Sequence, residues 1–320
     1  MKLVPAAGQL LDQILDLTYP IWHEGLTRAA YGRWNAAQMR TAWGARSLQR
    51  FALVDDRGEL LSTAKRYRFR ARLDGRTVAM CGIGALFTPA DRRGRGLARE
   101  MVARLLEAEQ ADGVSIAALF SEIGTPFYER LGFRPVPLDE VTVSVAARHG
   151  APAVLVRAGH ESDLPALAAM HAVRAAPARF ALDRDLPLIE YALAKKRLLA
   201  GLGPMGLRHV EFHVVEEGAS AAAYAILSTN ANGWTLDECG DRDPAGARAG
   251  ALLQALVARE PSQRAPLIRA WWPRAFTVPP QITLRDRSDA LDVLMLRALS
   301  ADVALPTAAG DVFFWRGDFF

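Results

Sequence analysis

GIGALFTPADRRGRGLAREMVARLLE, residues 82–107, reads as a strand, a tight Arg/Gly loop and a helix. The strand is apolar and runs to Phe87–Thr88. The loop is Pro89–Gly96. Leu97, Met101, Leu105 and Ala108 then recur at three- and four-residue steps, the single apolar stripe of an amphipathic helix. No Ser, Thr or Asn stands at its start; Arg92, Arg93 and Arg95 sit there among Gly94 and Gly96. The first turn of a helix leaves N–H groups unpaired and carries partial positive charge. Glycines let a ligand approach the backbone, and arginines add charge. A phosphate satisfies all three features at once, so the missing side-chain cap points to a ligand anion as the cap.

The loop is not a P-loop, because no Gly-Lys-Ser/Thr follows, nor a dinucleotide fingerprint, because the third glycine after Gly94-Arg95-Gly96 is absent. What remains, Arg93-Gly94-Arg95-Gly96-Leu97-Ala98, resembles the Arg/Gln-x-x-Gly-x-Gly/Ala loop of the GCN5-related N-acetyltransferases (GNAT). A second motif follows in the family's order: Phe127-Tyr128-Glu129-Arg130-Leu131-Gly132-Phe133, similar to Phe-Tyr-x-x-Leu-Gly-Phe.

That resemblance implies an α/β GNAT fold: a mixed, mostly antiparallel sheet with a splayed parallel pair, flanked by helices. It implies acetyl-CoA as co-substrate, its pyrophosphate on Arg92, Arg93, Gly94, Arg95, Gly96, Leu97 and Ala98. The pantetheine arm would pair with strand backbone near Leu86, Phe87 and Thr88, freed by a bulge that the sequence does not reveal. Tyr128 matches the family's tyrosine and is the candidate general acid. The aromatic-rich segment Tyr19–Trp43 would cover the acceptor, with Trp22 and Glu24 as candidate substrate contacts.

Acyl transfer to an amine requires the amine neutral. For a lysine-type amine with pKa near 10.4 that costs about 4–5 kcal/mol at pH 7, which a positioned base can offset. Three carboxylates are candidates: Glu122, Glu24 and the terminal carboxylate of Phe320. The last rests on a partial resemblance to the enhanced-intracellular-survival type of tandem acetyltransferase, whose chain end reaches back into the site. Ser121-Glu122 recurs from that type, displaced by two residues relative to the tyrosine, and the chain is short for that type's third domain. A second partial resemblance, through Leu26-Thr27, Tyr31 and Leu119–Gly124, is to the fungal-type lysine N-acetyltransferases.

The rest of the chain repeats the pattern. Arg148–Pro152 marks a boundary, giving a catalytic domain over 1–150 and a degenerate GNAT-like domain over 151–320 that closes the acceptor site and presents the tail. In the second half Asp241-Arg242-Asp243-Pro244-Ala245-Gly246 stands at the loop position, and its carboxylates oppose a pyrophosphate. Val312–Phe320, VFFWRGDFF, reads as a packing strand. In the first half Lys65, Tyr67, Phe69 and Ala71 alternate with Arg66, Arg68, Arg70 and Arg72, a strand with one wet face.

Composition narrows the function classes. The net charge of +4 is concentrated in the first 150 residues, about +5 against about −1 for the rest. That suits an anionic cofactor, and no basic helix with interleaved aromatics suggests nucleic acid. No apolar run is long enough to span a bilayer. Cys81 and Cys239 are far apart in sequence, which points to a reducing cytoplasm. His209, Glu211 and His213 share a strand face but not a zinc-helix pattern, so no metal is expected. The function expected is acetyl transfer from acetyl-CoA to a primary amine of a small molecule (an amino acid such as lysine, an aminoglycoside or a polyamine) by direct attack in a ternary complex. A non-catalytic acyl-CoA sensor is the alternative. The sequence leaves the oligomeric state open.

Overall fold

The computed structural model describes residues 1–147, 153–261 and 266–320. The boundary expected at Arg148–Pro152 lies outside the described residues. In chain order the elements begin β1 (Lys2–Pro5), α1 (Gly8–Trp22), α2 (Arg28–Arg40), α3 (Gly44–Ser47), β2 (Leu48–Val54), β3 (Leu60–Leu73), β4 (Arg76–Phe87), α4 (Leu97–Ala111), β5 (Ile116–Ser121), α5 (Pro126–Glu129) and β6 (Arg134–Val136). They continue β7 (Asp139–Val145), β8 (Leu155–Ala158), α6 (Leu164–Ala175), β9 (Phe180–Leu182), α7 (Leu186–Leu202), β10 (Arg208–Glu217), β11 (Ser220–Asn230), β12 (Gly233–Asp241), α8 (Ala247–Val257), β13 (Ile268–Trp271), β14 (Ile282–Asp289), β15 (Val293–Ala298) and β16 (Val312–Phe313).

The chain divides into two compact units. The first is Met1–Val136 with Leu291–Thr307 and Phe320; the second is Pro137–Ala290 with Ala308–Phe319. This differs from a division near 150. The cause is strand exchange: β7, from the first half of the sequence, pairs with β13 and β14 of the second unit. β15, from the last thirty residues, pairs with β5 and β6 of the first. Register pairing is a long-range choice that local periodicity does not encode.

The first unit holds a mixed sheet in the order β1-β2-β3-β4-β5-β15-β6. Along this order β4 pairs with β5 in parallel, and the other neighbours pair antiparallel. β3 and β4 are joined at Asp74-Gly75, both with positive φ, the turn that an Asp-Gly pair favours. Helix α4 buries Met101, Val102, Leu105 and Leu106 against the sheet, in one cluster with Cys81, Ile83, Leu119, Tyr128 and Met295.

The arginine row of β3 is the solvated face the alternation suggests only in part: Arg70 is exposed, but Arg66 is buried. Arg66 Nη1 and Arg68 Nε both donate to the carboxylate of Glu109 on α4, each at 2.9 Å. Glu109 is only 2% exposed, so α4 is tied to the sheet by a buried acid as well as by apolar packing.

The second unit holds the sheet β14-β7-β13-β12-β11-β10-β8, with β12 and β13 its parallel pair. Trp271 and Trp272 are buried there. The tail is less strand-like than its composition suggests. Val312 and Phe313 pair in parallel with Phe180 and Ala181; then Asp318 accepts from the Trp315 N–H and closes a helical turn.

Candidate acyl-CoA site

Three elements of the first unit build the site. The first is β4. Its pairing with β3 slips one residue between Thr63 opposite Phe87 and Lys65 opposite Gly84. Ala85 takes up the slip with φ +48°, which is a β-bulge. No glycine stands at the strained position, so the sequence carried no mark of it. Ser62 Oγ, from β3, donates to the Phe87 carbonyl at 2.8 Å and meets the Thr88 hydroxyl at 3.1 Å, fixing the strand end beyond the bulge.

The second element is the diverging pair. β4 and β5 are in register from Met80 opposite Ile116 to Ile83 opposite Leu119, and no further. β15 pairs with β5 on its other edge over the whole strand, through Phe120 and Ser121, where the pairing with β4 has ended. Gly84–Phe87 therefore line one arm of a wedge that opens at the bulge.

The third element is the loop and the start of α4. Gly94 and Gly96 both have φ near +75°, and Gly96 is the residue before the helix, with no side chain capping it. A Cβ at either glycine would meet nothing within 4 Å, so the glycines serve backbone conformation and open access. Arg93 Nε donates to the Thr88 carbonyl at 3.2 Å, tying the loop to β4. Arg92 is engaged by Glu59 at 2.7 Å.

These parts share one cavity of about 630 Å³. Of the residues the sequence singles out, Trp22, Leu86, Phe87, Thr88, Arg92, Arg93, Gly94, Gly96, Leu97, Ala98 and Tyr128 line it. Arg95 is exposed and does not. Ile21, Arg99, Ile123 and Phe127 also line it; the sequence assigned them no site role, although Phe127 opens the second motif. Ile21 and Ile123 are exposed apolar residues, a feature that only the fold reveals.

Tyr128 is buried on α5, its ring edge-on to Phe127 and Phe133. Burial, and then the nearby charge of Glu122, push its hydroxyl up to about 12. It is a protonated donor at neutral pH. Glu122 is exposed in the loop after β5 and does not line the cavity. Glu24 is also exposed, in a turn with φ +52°, and lies outside the cavity lining. Trp22 stands edge-on to Phe87, ring centres 6.3 Å apart.

Phe320 lies elsewhere in the first unit. Its ring packs against Tyr67, Phe69 and Phe120, with centroids 5.3, 4.9 and 5.1 Å away. Its backbone oxygen is 3.6 Å from where a Cβ on Gly84 would stand, one residue before the bulge. It does not line the cavity that contains Tyr128.

The corresponding helix start in the second unit is closed from within. Gly246 precedes α8 with φ +69°, the same backbone solution as Gly96. Here the buried Asp241 carboxylate accepts from the N–H groups of Arg248 and Ala249, at 2.8 and 3.0 Å. A side chain occupies the place that α4 leaves open. On the strand face of β10, Glu211 is taken by His213 at 3.0 Å and Arg259 at 2.6 Å. Among the described residues no group of three His, Cys, Asp or Glu could hold a metal. No helix among the described residues is long and apolar enough to cross a membrane.

Residues 19–136 match the model of a family described as an acetyltransferase (GNAT) domain. No curated protein sequence matches the chain. Among solved structures the chain is similar to a GCN5-related N-acetyltransferase from Kribbella flavida, with 18% identity and a TM-score of 0.66 over 93% of this chain and 72% of that one. It is similar to Eis1 from Mycobacterium abscessus, with 17% identity and a TM-score of 0.52 over 87% and 73%. It is also similar to N-myristoyltransferase from Saccharomyces cerevisiae with bound myristoyl-CoA, with 10% identity and a TM-score of 0.53 over 92% and 82%. At these identities the likeness is one of fold. The bulged and splayed β4, the uncapped start of α4 and the family match together identify residues 19–136 as a GCN5-related N-acetyltransferase domain, a member of an acyl-transferring family.

Proposed function

We propose that the first unit transfers an acetyl group from acetyl-CoA to a primary amine of a small molecule, by direct attack in a ternary complex. The observation that carries this reading is the single cavity that joins an uncapped helix start, a bulged strand end and Tyr128. The pyrophosphate would cap α4 through backbone N–H groups, with Arg93 beside it. The pantetheine amides would pair with β4 near the bulge, and backbone N–H near Phe87 would meet the developing oxyanion.

Tyr128 would donate its hydrogen to the departing sulfur. A thiol ionises near 8.5, so the thiolate leaves without needing full proton transfer, and a phenol at about 12 acts as a hydrogen-bond donor to it. Two of the candidate bases remain attractive. Glu122 is near enough for its charge to act on Tyr128, and the Phe320 carboxylate stands beside Gly84. Glu24 has no comparable support.

The position of the Phe320 ring favours a short acyl group. It fills the space over Gly82, one residue before the β4–β5 pairing ends at Ile83, which leaves little room there for a long chain. The internal cap on α8 supports reading the second unit as degenerate, with one acyl-CoA site per chain. Both cysteines are unpaired and buried, in keeping with a reducing cytoplasm. The test is thiol release from acetyl-CoA and from myristoyl-CoA across amino acids, aminoglycosides and polyamines. Turnover of acetyl-CoA with at least one amine is expected. Binding without turnover would favour the sensor, and preference for myristoyl-CoA would overturn the acetyl assignment.

A further inference from the structure

The last turn of the chain, Arg316–Asp318, is seated within the second unit on a buried charge cluster. Trp315, just before it, is buried edge-on to Trp272 and Phe276, with ring centres 5.4 and 5.0 Å away. Gly317 lies against β12 just past Leu236, where the pairing with β13 ends. A Cβ on Gly317 would stand 2.9 Å from Glu238 Oε2 and 3.3 Å from the Asp237 carbonyl oxygen. The turn is thus pressed onto two acidic residues, and it brings a third acid, Asp318, with it.

Arg184, between β9 and α7, serves two of these acids with one nitrogen. Its Nη1 donates to Glu238 Oε2 at 2.7 Å and stands 3.5 Å from Asp318 Oδ1. All three side chains are buried. The other cation, Lys196 of α7, is committed to Asp237 at 2.6 Å, which also accepts from Ser228. His171 of α6 adds no charge. A guanidinium only donates, so the His171 Nδ1, 3.3 Å from Arg184 Nη1, accepts, and the ring is neutral. Tyr224 of β11 is held well above its ordinary pKa by burial and then by Glu238, so it stays a neutral phenol.

Two cations therefore meet three carboxylates. An uncompensated buried charge is strongly unfavourable, and a proton on one acid removes it. Asp318 has the longest of the three ion pairs. Burial pushes its carboxyl up to about 6, with Glu238 adding to the rise and Arg184, the Trp315 N–H and Lys196 opposing it.

We propose that the C-terminal turn is a proton-dependent latch, held on β12 most tightly when Asp318 is protonated and loosened when Asp318 ionises. Docking takes up a proton, because the docked value lies above that of a free aspartate, about 3.9. The added hold is complete below about pH 4 and is lost as the pH rises through about 6. Phe320 stands two residues beyond Asp318, so the same equilibrium governs how freely the chain end moves. The latch does not rest on the acyl-transfer reading, since none of its residues lines the cavity at Tyr128.

The test is hydrogen exchange of the full chain at pH 5 and pH 8, read by mass spectrometry on a peptide covering residues 312–320 and corrected for the intrinsic pH dependence of exchange. Protection of this peptide is expected to be about tenfold lower at pH 8, the ratio that values of about 6 docked and about 3.9 free give by linkage. A peptide from β10 and β11 should keep its protection. Asp318→Asn still offers the Trp315 N–H an oxygen and should show no pH dependence. Glu238→Gln removes the competing acid; it should raise protection at pH 8 and shrink the pH difference, and it decides the matter if Asp318→Asn does not fold. Equal protection of the wild-type peptide at the two pH values, higher protection at pH 8, a parallel loss in β10 and β11, or an undiminished tenfold difference in either variant would overturn the proposal.

Discussion

The ring of Phe320 lies against the α-carbon of Gly82 so closely that a β-carbon there would stand 2.7 Å from it, and 2.7 Å from the ring of Phe69 as well. Only glycine lets the aromatic stack of Trp43, Tyr67, Phe69 and Phe320 close on β4. Gly82→Ala is therefore expected to cost about 1–3 kcal/mol, as overpacking does, read as a lower urea midpoint. It should also lower kcat more than acetyl-CoA affinity, because the helix start that holds the cofactor is untouched. An unchanged urea midpoint would mean that the ring has another place to go.

Arg66 and Arg68 of β3 both pair with the buried carboxylate of Glu109 on α4. Removing one partner of a buried pair leaves an uncompensated charge, at a cost of about 3–5 kcal/mol. Glu109→Ala should show that loss in equilibrium urea unfolding. A loss below about 1 kcal/mol would place this network with ordinary surface pairs.

How much of this was legible beforehand depended on the range of the interaction. The Arg93–Ala98 loop and the Tyr128 motif are local, and local chemistry gathers most of their residues around one cavity. The bulge at Ala85 was silent because alanine carries no signature of positive φ. The exchange of β7 and β15 was silent because strand pairing is decided by partners far away in sequence. The Arg66 and Arg68 face read as solvated because its buried acid sits on α4, forty residues downstream. The same distance hid the Asp241 cap: its carboxylate reads as repulsion toward a ligand until α8 is seen wrapped onto it.

Asp241 leads to a prediction about stoichiometry. Asp241→Ala removes the acceptor for two N–H groups at the start of α8 and should lower stability by about 1–2 kcal/mol, the worth of a strong cap. Acetyl-CoA should bind once per chain in both proteins, measured by calorimetry. Two sites in the wild type would contradict the degenerate reading of the second unit.

The pH profile is constrained by Tyr128. Its hydroxyl is raised from about 10 in the unperturbed residue to about 12, so ionisation removes the donor only at pH above about 11. Turnover should rise with pH as the acceptor amine deprotonates and show no alkaline fall between pH 8 and 10. A descending limb near pH 9–10 that disappears in Tyr128→Phe would contradict the burial-driven shift.

The most direct test of acyl transfer at this cavity is thiol release from acetyl-CoA by wild type and Tyr128→Phe, with the acceptor that gives the highest wild-type rate and with acetyl-CoA affinity measured beside it. Turnover by the wild type, a loss of kcat of about 10²–10⁴ in Tyr128→Phe, as for a lost acid–base group, and unchanged acetyl-CoA affinity are expected. Equal turnover by the two proteins would contradict the role of Tyr128, and an absence of acetyl-CoA binding in both would contradict the site itself.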